Sequence, residues 1–378
     1  MQIIRLDLKI SYVGLRTDVN RSVSDIILRH KPAFNVDRHR GRGEIMKKNI
    51  FKKLAAVMVS AAMVLSMSAC SAGSGAKADG DYTVAVIKQL DHASLDEIAN
   101  AITAELDAIA AREGVTIKYD VYSGQNDQTV LKQISDQAVA EGVDAIIPIA
   151  TLAAQVAAVS AEESKTPVVY AAISDPTAAE LTGIDYVTGT SDGLNTTFIM
   201  DMMFAQNPDI TNVGLLYSLS EVNSATPIAE AKAYLDNKGI SYVEATGNTN
   251  DEVVAAASSL VASGVQAVFT PTDNVVMAAE LAIYEDFANA GILHYAGADS
   301  FVRNGAFATC GVNYTDLGTK TADYAYQAIT EGMSALSDYY LMEGGIITVN
   351  TETAATAGAD YSAFSGMGEL VEVQTTEE

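Results

Sequence analysis

Hydroxyl, carboxylate and amide side chains recur just past the ends of short apolar runs in this chain. They are His92 and Ser94, Thr151, Ser174 and Asp175, Asn223 and Ser224, Thr272 and Asp273, and Asp299. If such runs are parallel strands, these positions lie where open α/β sheets bind ligands, outside the carboxyl ends of the strands. Helices starting there present backbone N–H groups that favour an anionic group such as a carboxylate. Gathered across a cleft, the set could hold a zwitterion, with hydroxyls and N–H groups on its carboxylate and an Asp on its ammonium. Ser94, Thr151, Asp175 (with Pro176 next) and Asp273 are equally good helix N-caps, and capping alone also accounts for them. Asp299 is less cap-like and is the better ammonium partner. His92 reads as a pocket-mouth donor or a solvated loop residue. Tyr217, Tyr295 and Tyr314 lie near run ends, where they would form an aromatic wall or bury as core tyrosines.

Signatures of catalysis are missing from the sequence. It has no GxSxG, no Walker A, no HExxH and no His/Cys spacing suited to a metal. Residues 183–193 do not form GxGxxG, and Cys310 sits in an apolar run with no His near it in sequence. The expectation is a binding protein without cofactor or metal.

The elements that must position these residues alternate as βα units. Runs TVAVIK (83–88), TIKYDVY (116–122), DAIIPIA (144–150), PVVYAAI (167–173) and YVTGTS (186–191) read as strands of a first group. NVGLLYS (212–218), SYVEATG (241–247), AVFTPT (267–272), LHYAGA (293–298) and ATCGVN (308–313) read as a second. Leu95, Ile98, Ile102, Leu106 and Ile109 keep helical spacing behind a Ser94-x-x-Glu97 capping box. VAEGVDAIIP (139–148) lies over VASGVQAVFT (261–270), an offset of 122 residues, which points to a duplicated lobe.

The N-terminal part carries an address. Met46 opens a basic head (Lys47, Lys48, Lys52, Lys53), followed by the 16 apolar or small residues 54–69 and then Cys70. The run is short of the roughly 20 residues a spanning helix needs and suits a secretory signal. Ser66, Ser68 and Ala69 before Cys70 resemble a lipobox, making Cys70 the expected lipidation site and residues 70–80 a flexible tether. Residues 1–45 hold seven Arg with no helical or strand period. The string Arg42-Gly43-Glu44-Ile45-Met46 fits codons of a ribosome-binding site, so 1–45 is expected to be leader rather than protein. Before Cys70 lie 13 of the 23 Lys and Arg and 5 of the 48 Asp and Glu, leaving 10 against 43, a formal net charge of −33. A surface this acidic repels nucleic acid and anionic headgroups. Cys310 is then the one free cysteine, so no disulfide is expected.

The strings ATLAAQ (150–155), AAISDPTAAEL (171–181), YVTGTSD (186–192), LLYSLSEVNS (215–224), PTDN (271–274) and NGAFATCGVNYTDLG (304–318) resemble the ABC-transporter substrate-binding lipoprotein family, whose characterised members include tryptophan and tyrosine receptors. The resemblance implies a type I periplasmic-binding-protein fold: two Rossmann-like lobes with parallel sheets joined by three crossovers, near 186–191, 310–314 and 336–345. Lobe 1 would be residues 82–188 plus about 314–338, and lobe 2 residues 189–313 plus about 343–378. It further implies amino-acid contacts around Ser94, Thr151, Ser174, Asp175, Asn223, Ser224, Thr272, Asp273 and Asp299. The expected partners are a small solute, a membrane permease with its cytoplasmic ATPase, and the membrane itself through lipid on Cys70, the receptor acting as a monomer outside the cytoplasm. The sequence departs from the family at Ala93 and Leu152, where Pro is frequent. A nucleoside or sugar receptor of the same fold, or a receptor serving a signalling partner, is the alternative reading.

Overall fold

The computed structural model describes residues 80–376; the expectations for 1–45, 46–69, Cys70 and most of the tether lie outside it. The chain runs β1 (Asp81–Lys88), α1 (Ala93–Glu113), β2 (Thr116–Ser123), α2 (Gln128–Glu141), β3 (Ala145–Ile149), α3 (Thr151–Ser160), β4 (Val168–Tyr170) and β5 (Val187–Ser191). It continues with α4 (Thr196–Gln206), β6 (Asn212–Tyr217), α5 (Val222–Lys238), β7 (Ser241–Thr246), α6 (Asn250–Ser263), β8 (Ala267–Thr270), α7 (Asn274–Asn289), β9 (Leu293–Ala296), α8 (Asp299–Arg303) and β10 (Ala308–Gly311). The last part is α9 (Tyr314–Thr330), β11 (Tyr340–Leu341), β12 (Ile346–Asn350), α10 (Thr351–Ala357) and β13 (Glu369–Val373).

Two sheets result. The first has the order β11-β5-β4-β3-β1-β2 and is parallel throughout. The second has the order β13-β12-β10-β9-β8-β6-β7 and is parallel except where β12 pairs antiparallel with β10. β3 is buried along its whole length and β1 through its middle, as expected where helices cover both faces of a sheet. Each lobe is one sheet with its flanking helices, and the chain passes between them after β5, β10 and β11. The run 186–191 is therefore not a crossover but largely a strand of the first sheet, because Val187–Ser191 pairs with both β4 and β11. The crossing begins at Asp192. β13, an added edge strand beside β12, has no counterpart in the sequence reading.

The apolar stripe of α1 packs as its spacing demands: Ile98, Ile102, Leu106 and Ile109 are fully buried and Leu95 nearly so. Each contributes about 1.5–3 kcal/mol of burial. Part of this face meets α9 at Gly318, where a Cβ would stand 2.7 Å from the Ile98 carbonyl oxygen. Only glycine lets the two helices come so close.

The internal echo has a structural basis. α2 ends at Gly142 and α6 at Gly264, both left-handed caps with φ near 70°. β3 and β8 follow at the same offset, and α3 and α7 then start at the cleft. The Ser94 capping box does not form. His92 is the N-cap residue of α1 and makes no side-chain cap, because Ser94 and Glu97 bond to groups elsewhere.

Candidate functional site

Six helices, α1, α3, α5, α7, α8 and α9, place first-turn residues around one narrow cavity between the lobes. About 350 Å³ of space between atoms lies there, mouth included, yet the centre of a water-sized sphere can occupy only about 20 Å³ of it. That is room for roughly one water. The lobes are in contact around it. Ser94 and Ser300 share a hydrogen bond, Ser174 and Thr272 another at 2.8 Å, and His92 Nε2 stands 3.1 Å from Asn274 Oδ1. Further out, Thr226 donates to Asp175 at 3.1 Å, and Arg303 bridges Asp299 of its own helix to Glu97 of the other lobe.

The cavity has a polar end and an apolar wall. Asp192 is buried at the polar end, its Oδ1 accepting from Ser174 Oγ at 3.0 Å and its Oδ2 from the Tyr314 hydroxyl at 2.9 Å. Burial raises its pKa, and the two hydrogen bonds only partly oppose that. Among the described residues it has no ion-pair partner. Asp192 opens the first crossing and Tyr314 follows the second, so this pair ties two connections together at the lobe junction. Leu95, Met277 and Phe301 form the larger part of the wall, with Ala150, Ala172 and Ala298. Ala150 and Ala172 hold φ of 76° and 57°, left-handed values that cost a non-glycine residue of order 1 kcal/mol or more. Both follow strands of the first sheet, and the strain turns the chain sharply at the cavity edge.

Of the residues singled out from sequence, His92, Ser94, Thr151, Ser174, Asn223, Thr272, Asp273 and Tyr314 line this cavity. His92 is held neutral, burial lowering its pKa to about 4. Asn223 donates to the Thr272 carbonyl at 2.6 Å, leaving its own side-chain oxygen without a partner. Asp273 is fully engaged within its lobe. Its Oδ1 caps α7 through Val275 and Val276 N–H, and its Oδ2 accepts from Ser218 N–H and Ser224 Oγ, both at 2.7 Å. Burial raises its pKa.

Five residues are not brought into the cavity. Ser224 serves Asp273. Asp175 caps the following turn through Ala178 N–H at 2.9 Å. Asp299 is paired with Arg303 one turn along α8, which also holds Glu97, and it does not line the cavity where the ammonium role expected of it would be exercised. Tyr217 ends β6 on the sheet face it shares with Glu244 of β7, to which it donates at 2.7 Å. Tyr295 is likewise core, edge-on to Phe307 at 5.3 Å. The acid that does face the cavity, Asp192, directly follows the run 186–191, which the sequence reads as a strand and also places near a crossover, so its position at a strand end carries no clear signal. Phe301 belongs to a five-residue helix too short to give a periodic signal. Among the described residues no group of His, Cys, Asp or Glu is placed to hold a metal ion.

Two parallel-sheet lobes joined by three crossings and meeting over a cavity define the type I periplasmic-binding-protein fold. The model of the ABC transporter substrate binding protein family matches residues 83–358, and the chain belongs to that family. A tyrosine-binding protein of Clostridioides difficile (strain R20291) is 28% identical over 299 residues, spanning 75% of this chain and 85% of that protein. An ABC domain from Streptococcus pneumoniae solved in complex with L-Trp is 27% identical, with 77% of this chain and 100% of that one covered and a TM-score of 0.70. The ligand-free, open structure of a substrate binding protein with adhesive properties from Clostridium difficile is 26% identical, covering 78% and 100%, with a TM-score of 0.59. At near-equal identity, the TM-score is higher to the L-Trp complex than to the open structure.

Proposed function

We propose that this protein is the lipid-anchored, extracytoplasmic receptor of an ABC importer for an amino acid, with aromatic side chains preferred. The observation that carries the reading is Asp192: a buried carboxylate, hydrogen-bonded by Ser174 and Tyr314, facing a cavity and lacking a cation. An α-ammonium group would supply that cation, and the first turns of α1, α3 and α7 would receive the α-carboxylate. Leu95, Met277 and Phe301 would pack on the ligand side chain. The tyrosine- and L-Trp-binding relatives support an aromatic ligand. The signal ending at Cys70 supports lipid anchoring beside a permease, the solute being captured and handed over without chemistry. The cavity is narrower than an aromatic amino acid, so binding requires the lobes to part, and ligand then stabilises a closed form wide enough to hold it, only by its greater affinity for that form.

A thermal-shift screen of the twenty amino acids, with nucleosides and sugars alongside, tests this. A micromolar ligand at millimolar concentration adds roughly 4 kcal/mol of stability. A shift with L-tyrosine or L-tryptophan is the expected result; a shift with sugars or nucleosides alone would overturn the reading.

A further inference from the structure

Across the lobe junction, Gln89, one residue beyond β1, does three things with one side chain. Its Oε1 accepts from Leu152 N–H at 3.0 Å, capping α3, whose own N-cap residue Ala150 provides no side-chain cap. Its Nε2 donates to Asn126 Oδ1 at 2.9 Å within the first lobe and to Glu221 Oε1 of the second at 2.8 Å. The other oxygen of Glu221 accepts from Asn274 Nδ2 at 2.7 Å, and Asn274 Oδ1 returns to His92 of the first lobe. The chain Gln89–Glu221–Asn274–His92 therefore crosses between lobes twice, and Gln89 and Glu221 are both buried within it. These are side chains of different lobes, so parting the lobes breaks both crossings.

We propose that Gln89 and Glu221 form a latch that sets the open–closed equilibrium, anchored in the first lobe by the cap that the same Gln89 side chain places on α3. The latch is independent of which solute the site takes. Burying Glu221 costs free energy when it is charged, because its desolvation and the nearby Asp273 carboxylate both oppose the anion, and these raise its pKa to about 7. The other ionisable groups near the chain give no compensating charge. His92 is neutral, and Lys88 is held by Asp91 and Asp96. In the open form Glu221 meets water and returns toward its ordinary range. Closure thus takes up a proton near neutrality, and the closed fraction grows as pH falls. The closure constant should be about two- to threefold larger at pH 6 than at pH 8, because His92, neutral in the closed form and freed by opening, offsets part of what Glu221 gains.

The test uses the protein without ligand, so its result does not depend on the amino-acid reading. Spin labels on Gln137→Cys of α2 and Glu230→Cys of α5, both exposed, report the distance between lobes, and Cys310 is buried. The expected outcome is a short-distance population that grows from pH 8 to pH 6. Gln89→Ala and Glu221→Ala should deplete it, and Glu221→Gln should abolish its growth in acid, leaving only the opposite trend set by His92. Gln89→Glu, which sets two carboxylates against each other, should open the lobes at pH 8 and let them reclose in acid. Unchanged distances in Gln89→Ala and Gln89→Glu, or growth in acid that persists in Glu221→Gln, would overturn the proposal.

Discussion

Replacing Asp192 by Asn removes one charge and almost no volume, which makes it the sharpest probe of the cavity. In the free protein the carboxylate is buried with two hydroxyl donors and no cation, and its pKa is raised by that burial. The amide is relieved of this desolvation and still accepts from Ser174 or Tyr314, so the urea midpoint of the free variant should hold or rise. Ligand binding should respond in the opposite direction. Removing one partner of a buried, hydrogen-bonded charge pair costs about 2–5 kcal/mol, and each 1.4 kcal/mol is about tenfold in Kd. Titration calorimetry should therefore show L-tyrosine binding weakened by at least about thirtyfold. The analogue 3-(4-hydroxyphenyl)propionate, which lacks the ammonium, should bind the variant no worse than it binds the parent. A loss below threefold for L-tyrosine places the ammonium elsewhere. Equal losses for both ligands mean that the substitution damaged the cavity's shape, and either result refutes the charge assignment.

Three further outcomes are expected. Asp273→Ala removes a cap worth about 0.5–2 kcal/mol and leaves the buried Ser218 N–H without its acceptor at about 1–3 kcal/mol; urea unfolding should show a loss of about 2–4 kcal/mol. Gly318→Ala drives a methyl against the Ile98 carbonyl and the Ala101 side chain, a backbone clash that should cost about 1–3 kcal/mol and lower the melting temperature without altering the cavity residues. Affinity for L-tyrosine should be highest in mild acid. Glu221 has a closed-state pKa raised to about 7, so closure strengthens as pH falls from 8 to 6. Asp192 is also raised, but must be charged to pair, so affinity falls again as acid protonates it. Calorimetry from pH 4.5 to 8 should trace this maximum, and Glu221→Gln should flatten only its alkaline limb.

The βα alternation, the αL glycines at 142 and 264 and the duplicated half were legible because they rest on local rules: period, propensity and left-handed backbone. Strand ends followed from the same rules, and with them half of the residues that line the cavity. Local rules do not say where a side chain is used. Ser94 looks like a cap and bonds instead to Ser300, 206 residues away. Asp273 looks like a ligand for a cation and spends both oxygens on its own lobe. Asp299 looks free of capping duty and is paired with Arg303, outside the cavity.

The sequence by itself determined the βα alternation, the duplication and the family resemblance, since hydrophobic period and motif order are carried by neighbouring residues. Only the tertiary structure decided which acid faces the cavity and which groups join the lobes. Asp192 lies between strand and crossing, Gln89 and Glu221 are 132 residues apart, and their energies depend on burial and charge that exist only once the two sheets have met.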